Sequence, residues 1–297
     1  MTETTATAIA LDAKEIIKDM IASFVGSAAC VYTGQPFDTV KVRLQCATPG
    51  QYRGAIDCGR QVIVNEGALK LFSGSVPALT GALLENATAF AVNGALKRFL
   101  GDRDKVKFED KPFYEPFMTG GITGFTVAFV LCPCDMLKCR AQVSKSKGLN
   151  HSIREIIGQV VQQKGILGLY SGMGPQITRD IMFYGSFFGS YEVLCAGLKK
   201  YTDMPDAAVY GTAGGLAGQI AWACSIIPDS VKSRIQTSPS LVELPRARDT
   251  FELIVKEKGY RGLFAGIEVA LIRAWPANAA LFLGYEYTKK LLDKLVT

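Results

Sequence analysis

Pro36-Phe37-Asp38-Thr39-Val40-Lys41-Val42-Arg43-Leu44-Gln45 decides the architecture of this chain, because the chain writes it three times. The second copy is Pro133-Cys134-Asp135-Met136-Leu137-Lys138-Cys139-Arg140-Ala141-Gln142, and the third is Pro228-Asp229-Ser230-Val231-Lys232-Ser233-Arg234-Ile235-Gln236. Measured from aspartate to aspartate, the copies lie 97 and 94 residues apart, about a third of the 297-residue chain. A fixed period outranks other features in reading a sequence, and this one is too long for the common solenoids. Each copy closes a long apolar run. The sequence therefore predicts a membrane protein of three related parts, 1–110, 111–205 and 206–297.

The apolar runs are uncharged over 18 residues (Met20 to Phe37), 19 residues (Pro116 to Cys134) and 22 residues (Ala207 to Pro228). At 1.5 Å per helical residue, each is long enough for a bilayer core of about 30 Å. Small residues recur at fourth positions: Ala22, Gly26, Cys30 and Gly34; Gly120, Gly124 and Ala128; Gly211 and Gly215 beside Gly214 and Gly218. Such spacing predicts close helix packing within the membrane. A proline ends each run and predicts a kink near the helix exit. A second signature follows each copy: Glu66-Gly67 to Phe72-Ser73-Gly74, Lys164-Gly165 to Tyr170-Ser171-Gly172, and Lys258-Gly259 to Phe264-Ala265-Gly266. Between the two signatures, stretches near 55–65, 151–163 and 247–258 read as short helices at the membrane surface. Beyond the marker glycines come further apolar segments, roughly 77–99, 175–197 and 269–292, interrupted by Glu85, Arg179-Asp180 and Arg273. The expected fold is all-α, with six transmembrane helices in three pseudo-threefold repeats. An even number of spans puts both termini on one side.

Composition narrows the function. Hydrophobic residues make up 48% and charged residues 20%, with a net charge of +6. The segments 41–72, 138–170 and 232–262 hold 18 of the 33 Lys and Arg. That clustering fits a positive bias on three loops of one face better than a nucleic-acid surface, because no basic stripe interleaved with aromatics appears. The eight cysteines form no CxxC pair and read as small buried residues in a reducing compartment. With His151 as the one histidine, a His-based metal site or triad is not expected. There is no GxxxxGK[ST], so the reading is not an enzyme and no cofactor is expected. Met1 to Lys18 has neither the h-region of a secretory signal nor the Arg-rich, acid-poor character of a transit peptide, so no cleavable presequence is evident.

In each copy, Asp-x-x-Lys sets a carboxylate and an ammonium about one turn apart at a helix end. Three such ends in a ring predict a cyclic network, Asp38–Lys138, Asp135–Lys232 and Asp229–Lys41, braced by Gln45, Gln142 and Gln236. A ring of this kind closes a pore at one side and opens only when its pairs break.

Here the chain resembles the mitochondrial carriers, whose three repeats form a six-helix bundle around a central substrate site. The resemblance covers essentially the whole chain and implies a multi-pass protein of the inner mitochondrial membrane, with the ring as its matrix gate. Two departures stand out. Pro228 directly precedes Asp229, where the family has Pro-x-Asp, and Lys164 and Lys258 replace the usual acid before the second-signature glycine. In this family the opposite, cytoplasmic gate is an aromatic-acid-x-x-base pattern on the even spans. It is complete in Tyr285-Glu286-Tyr287-Thr288-Lys289. Tyr191-Glu192 lacks its base, Cys195 standing there, and the second span offers only Lys97. At most two pairs are expected, Glu192–Lys289 and Glu286–Lys97, which makes this the weaker gate.

Repeat symmetry also points to the substrate, because asymmetric polar positions do the recognising. Seven residues after the marker glycine the repeats read Gly81, Arg179 and Arg273; at eight, Ala82, Asp180 and Ala274. At eleven they read Glu85, Phe183 and Ala277; at twelve, Asn86, Tyr184 and Asn278. Ionisable residues within a membrane bundle are functional candidates by default. Arginine grips a carboxylate bidentately, and Asp180 suits an α-ammonium. Glu85 lies about 6 Å further along the axis, within reach of a terminal side-chain cation. The expected substrate is a basic amino acid, bound by Glu85, Asn86, Arg179, Asp180 and Arg273. Thr33 to Lys41, Pro77 to Asn86, Leu131 to Arg140 and Arg273 to Leu283 look like the ornithine carriers. Arg179-Asp180, Arg273 to Asn278 and Pro228 to Arg234 are equally similar to the carnitine/acylcarnitine carriers, but carnitine has no distal primary amine for Glu85. The expected function is exchange of ornithine, lysine or arginine, with citrulline or a proton as counter-substrate; the alternative is carnitine/acylcarnitine exchange. The expected partners are the small-molecule substrate and membrane lipid of the cardiolipin type, with no nucleic acid. One chain supplies all three repeats, so a monomer suffices.

Overall fold

A computed structural model describes residues 2–100, 112, 114–144, 152–238 and 245–295. In chain order the helices are α1 (Thr2–Cys46), α2 (Ala55–Glu66), α3 (Ser75–Leu100), α4 (Glu115–Ser144), α5 (Ile153–Lys164), α6 (Met173–Tyr201), α7 (Asp206–Gln236), α8 (Ala247–Lys258) and α9 (Ile267–Leu295). There is no strand among the described residues. Each repeat is a long helix, a short helix, a single 3₁₀ turn and a second long helix.

The second signature sets the joint between short and long helices. Gly67, Gly165 and Gly259 end the short helices at φ of 92°, 67° and 67° with extended ψ, a region open essentially to glycine alone. The marker glycines Gly74, Gly172 and Gly266 then turn the chain at φ of 78–83° into the next long helix. The amphipathic short helices press their buried faces under the ends of the odd long helices. Ile156 and Val160 meet Met136, and Ile254 meets Val231 and Ile235. Cys58 packs on Val40, and its thiol is pushed up to about 11 by burial.

The six long helices close into a ring in the order α1, α3, α4, α6, α7, α9. The small-residue spacing works as expected at two seams. A Cβ added at Gly120 or Gly124 of α4 would sit 2.4 and 2.3 Å from the carbonyl oxygens of Tyr184 and Asp180 of α6. One added at Gly26 of α1 would lie 2.8 Å from Leu281 O of α9. At the third set the expectation fails. Gly211, Gly215 and Gly218 of α7 have no neighbouring atom within 4 Å of where a Cβ would stand, because this face of α7 lines the open central cavity.

By length and apolarity, three of the described stretches qualify as spans: Glu115–Val143, Ile166–Tyr201 and Tyr260–Lys294. A fourth, α3, qualifies only when joined to α2, to which it is bent by 118°. α1 and α7 fall short because Gly, Ser, Thr and Gln dilute their apolar character. Those residues face other helices or the central cavity and need not be greasy. Pro36, Pro133 and Pro228 lie inside uninterrupted helix, which continues through the Asp-x-x-Lys-x-Arg-x-Gln segment instead of ending near the proline.

Candidate functional site

Continuing the odd helices past their prolines brings the three Asp-x-x-Lys segments together at one end of the bundle. All three expected pairs form: Lys138–Asp38 at 2.6 Å, Lys232–Asp135 at 2.5 Å and Lys41–Asp229 at 2.6 Å. Each lysine reaches back to the preceding repeat. The pairs are buried, with Lys41, Lys232, Asp38 and Asp229 all below a tenth exposed. Breaking one member out of such a pair costs about 3–5 kcal/mol, because the other charge stays buried alone.

The expected glutamine brace forms once. Gln45 donates to Asp229 at 2.9 Å and lies 3.4 Å from the Ser230 hydroxyl. The side-chain amides of Gln142 and Gln236 are fully buried and have no hydrogen-bond partner among the described residues. Their backbone carbonyls are the parts in use. Arg43 Nε donates to Gln142 O, Arg140 Nε to Gln236 O and Arg234 Nε to Gln45 O. This second ring runs forward around the repeats while the lysines run backward, so each odd helix is tied to both neighbours. The motif arginines carried the signal for it, recurring two residues after each lysine. Arg43 also grips Glu66 with both terminal nitrogens, and Arg234 finds Glu257, one residue upstream of the substituted Lys258. Arg140 has Lys164 where repeat 1 has Glu66, and donates to Ser238 O instead.

Above the ring lies a cavity of about 720 Å³. Of the five expected substrate residues, Glu85, Arg179 and Arg273 line it. Asp180 does not. It is fully buried where α6 presses on Gly124, and its oxygens are taken by Arg179 and by Gln176 at 2.7 Å. Asn86 is also off the wall, with its amide 3.5 Å from the Ser27 hydroxyl of α1. The two arginines reach down to the ring. Arg273 Nε lies 2.9 Å from Asp38, and Arg179 Nε lies 3.7 Å from Asp229. Gly34 makes the first reach possible, since a Cβ there would stand 2.6 Å from Arg273 Nε. Among the described residues neither Nε–H makes a hydrogen bond of good geometry, and both guanidiniums are held to the aspartates by charge. Glu85 accepts a hydrogen bond from the Tyr184 hydroxyl at 2.5 Å.

Three residues join the site that the sequence reading passed over. Gln176 links Asp180 to the ring aspartate Asp135, at 3.2 Å. Trp222 covers Lys41, whose Nζ lies 3.9 Å from the ring centroid, and touches Phe183 edge-on at 5.3 Å. Tyr184 positions Glu85. Repeat asymmetry signals the first two: four residues after the marker glycine the repeats read Ala78, Gln176 and Ala270, and seven before the ring aspartate they read Val31, Ala128 and Trp222.

At the opposite end the expected Glu192–Lys289 pair is not formed among the described residues, and the expected Glu286–Lys97 pair lies outside them. Lys289 bonds Asp19 of α1 at 2.7 Å, not Glu192, and Tyr285 donates to the same carboxylate at 2.9 Å. Glu286 lies 3.5 Å from Lys290 on its own helix, and the Lys97 side chain lies outside the described residues. No cluster of metal-ligating side chains occurs among the described residues.

Comparison with known proteins agrees with this geometry. The model of the family described as mitochondrial carrier protein matches residues 12–104, 109–202 and 205–295. Mitochondrial ornithine transporter 1 of Mus musculus is 32% identical over 289 residues, covering 92% of this chain and 94% of the relative. Mitochondrial carnitine/acylcarnitine carrier protein of Rattus norvegicus is also 32% identical over 289 residues, covering 93% and 95%. Mitochondrial substrate carrier family protein S of Dictyostelium discoideum is 34% identical over 285 residues, covering 93% and 98%. Three repeats, one helical ring and full-length similarity lead to one conclusion: the chain belongs to the mitochondrial carrier family, the multi-pass small-molecule transporters of the inner mitochondrial membrane.

Proposed function

We propose that this carrier exchanges basic amino acids of the ornithine, lysine and arginine class, with citrulline or a proton as counter-substrate. The observation that carries the reading is Glu85. Of the carboxylates lining the cavity, Asp38, Asp135 and Asp229 are committed to ring lysines, whereas Glu85 faces the cavity and, among the described residues, accepts a hydrogen bond from the Tyr184 hydroxyl and forms no ion pair. A dibasic zwitterion meets this arrangement with its carboxylate on Arg273 or Arg179 and its distal ammonium on Glu85. With Asp180 engaged behind the wall, the α-ammonium is left to face the aromatic surface of Phe183 and Trp222, a cation–π contact.

Exchange then follows from competition. The substrate carboxylate draws Arg273 from Asp38 and Arg179 from Asp229, removing a flanking cation from two of the three ring aspartates. The ring, taken as the matrix gate, loosens. As the cytoplasmic end draws in, Lys289 leaves Asp19 for Glu192. No covalent step is involved, and the substrate's differential affinity for the two states supplies the shift.

Carnitine or acylcarnitine exchange is the second reading, favoured by the aromatic floor of Phe183 and Trp222, which suits a quaternary ammonium. Uptake of labelled ornithine and labelled carnitine into proteoliposomes preloaded with each separates the two. Saturable ornithine exchange that is lost in Glu85→Gln, with the protein still folded, is the expected result. Carnitine exchange without ornithine exchange overturns it.

A further inference from the structure

We propose that Gln176 is a positioning residue of the exchange cycle: its side-chain amide couples Arg179 to the Asp135–Lys232 ring pair, so that substrate taken by Arg179 loosens that pair as well. The exchange scheme above removes Arg273 from Asp38 and Arg179 from Asp229, and leaves the third ring aspartate without a trigger. The geometry around Asp135 supplies one. Gln176 Nε2 donates to Asp180 Oδ2 at 2.7 Å and lies 3.2 Å from Asp135 Oδ2, the same oxygen that Lys232 holds. Asp180 is in turn the counter-ion of Arg179, which lines the cavity. The inference rests on that scheme only in requiring a substrate carboxylate, which amino acids and carnitine both carry.

The arrangement is particular to the second repeat, since the same position holds Ala78 in the first and Ala270 in the third. Gln176 stands one turn before Asp180 in α6, which puts both side chains on one face, and both residues are fully buried. Its Oε1 has no hydrogen-bond partner among the described residues, whereas its Nε2 meets two carboxylates. Chemistry fixes that orientation, because the flipped amide would set a carbonyl oxygen against two anions. By repeat symmetry the glutamine expected on Asp135 is Gln236, as Gln45 is on Asp229, but the Gln236 amide has no partner among the described residues. Gln176 has taken that place.

The two carboxylates differ in what they can lose. The backbone at Asp180 is clamped on α4, so close that a Cβ at Gly124 would stand 2.3 Å from its carbonyl oxygen. Asp180 therefore cannot follow Arg179 when a substrate carboxylate draws the guanidinium into the cavity. A fully buried carboxylate stripped of its cation is costly, and the donor already beside it is the Gln176 amide, which makes its shorter contact there. Asp135 keeps Lys232, so it is the less costly of the two to leave. The amide closes on Asp180 and Asp135 loses a charge-assisted hydrogen bond. Each of the three ring aspartates has then lost one partner.

Exchange kinetics in proteoliposomes test this, run with whichever of labelled ornithine and labelled carnitine the parent exchanges. Asp180→Asn keeps the side-chain shape but competes less for the amide and for Arg179, by the difference between a charged and a neutral acceptor, about fivefold to tenfold. It should lower KM and kcat together by about that factor, the substrate binding more tightly and the ring opening less readily. Gln176→Leu added to Asp180→Asn should restore kcat to within about twofold of the parent, because Asp135 then has no brace to lose. A packing role for Gln176 predicts the opposite, a second loss on top of the first. Melting in detergent without substrate is an independent arm. Arg179→Gln mimics the departed guanidinium, so adding Gln176→Leu to it should lower Tm by a few degrees more than the two single changes together. Gln176→Met replaces the leucine variant if that one does not fold. A raised KM in Asp180→Asn, which would make Asp180 a direct reader of the substrate, overturns the proposal. So does a kcat that is unchanged in Asp180→Asn or unrestored in the double variant, and so does additive melting. Absence of ornithine exchange bears on the substrate reading alone, and if the parent exchanges neither compound the melting arm decides.

Discussion

Asp38 is the point where the ring and the cavity share one carboxylate, and a double-mutant cycle on its two partners tests that sharing. Lys138 holds one oxygen at 2.6 Å and Arg273 lies 2.9 Å from the other, while Asp38 itself is only 8% exposed. Removing either partner alone, as Lys138→Ala or Arg273→Ala, leaves the second cation in place and costs one charge-assisted contact, about 1.5–3 kcal/mol. Removing both strands a buried carboxylate. The double variant should therefore lose more than the sum, by about 1–2 kcal/mol on the scale of a broken buried pair. At roughly 2 °C per kcal/mol in a chain of this size, that excess is a few degrees. Melting in detergent without substrate, followed with a thiol-reactive dye, suits the chain, because Cys58, Cys132 and Cys139 are buried and free. Loss of substrate contacts does not enter this readout. Additivity to within about 0.5 kcal/mol would refute the shared carboxylate, and with it the route by which substrate loosens the ring.

The seams give a contrasting pair. Gly124→Leu should destabilise by about 1–3 kcal/mol or more through collision with the α6 backbone, whereas Gly215→Leu should melt like the parent; equal melting of the two discounts the packing difference. Arg43→Ala should cost more than Arg140→Ala, by about 1.5–3 kcal/mol, because only Arg43 carries the double contact to Glu66; a cycle with Glu66→Gln checks the source. Asp19→Asn should free Lys289 for Glu192 and slow maleimide labelling of a cysteine placed at Gln219 in the cavity. The pair is half-exposed, so the change should not exceed about fivefold, and an unchanged rate sinks the exchange of partners between Asp19 and Glu192.

The sequence by itself determined the threefold plan. The tripled Asp-x-x-Lys names both members of every ring pair, because a local spacing repeated in register leaves a cyclic network one simple way to close. The second-signature glycines fix the joints for a local reason too, since few other residues adopt their backbone angles. Repeat asymmetry located Glu85, Arg179 and Arg273 in the same way. What only the tertiary structure decided is which asymmetric residues face the cavity and whom they touch. Asp180 and Asn86 stand one residue, about 100° of helical rotation, from Arg179 and Glu85 and contact neighbouring helices, although Ala82, Ala274 and Asn278 at the same repeat positions line the cavity. Gln142 and Gln236 match Gln45 in the motif but find no side-chain partner, and Lys289 finds Asp19, a residue outside any repeated pattern. The empty row on α7 reads in sequence like the filled row on α4. Which face of a helix meets a neighbour and which lines the cavity is a property of the whole bundle rather than of any segment.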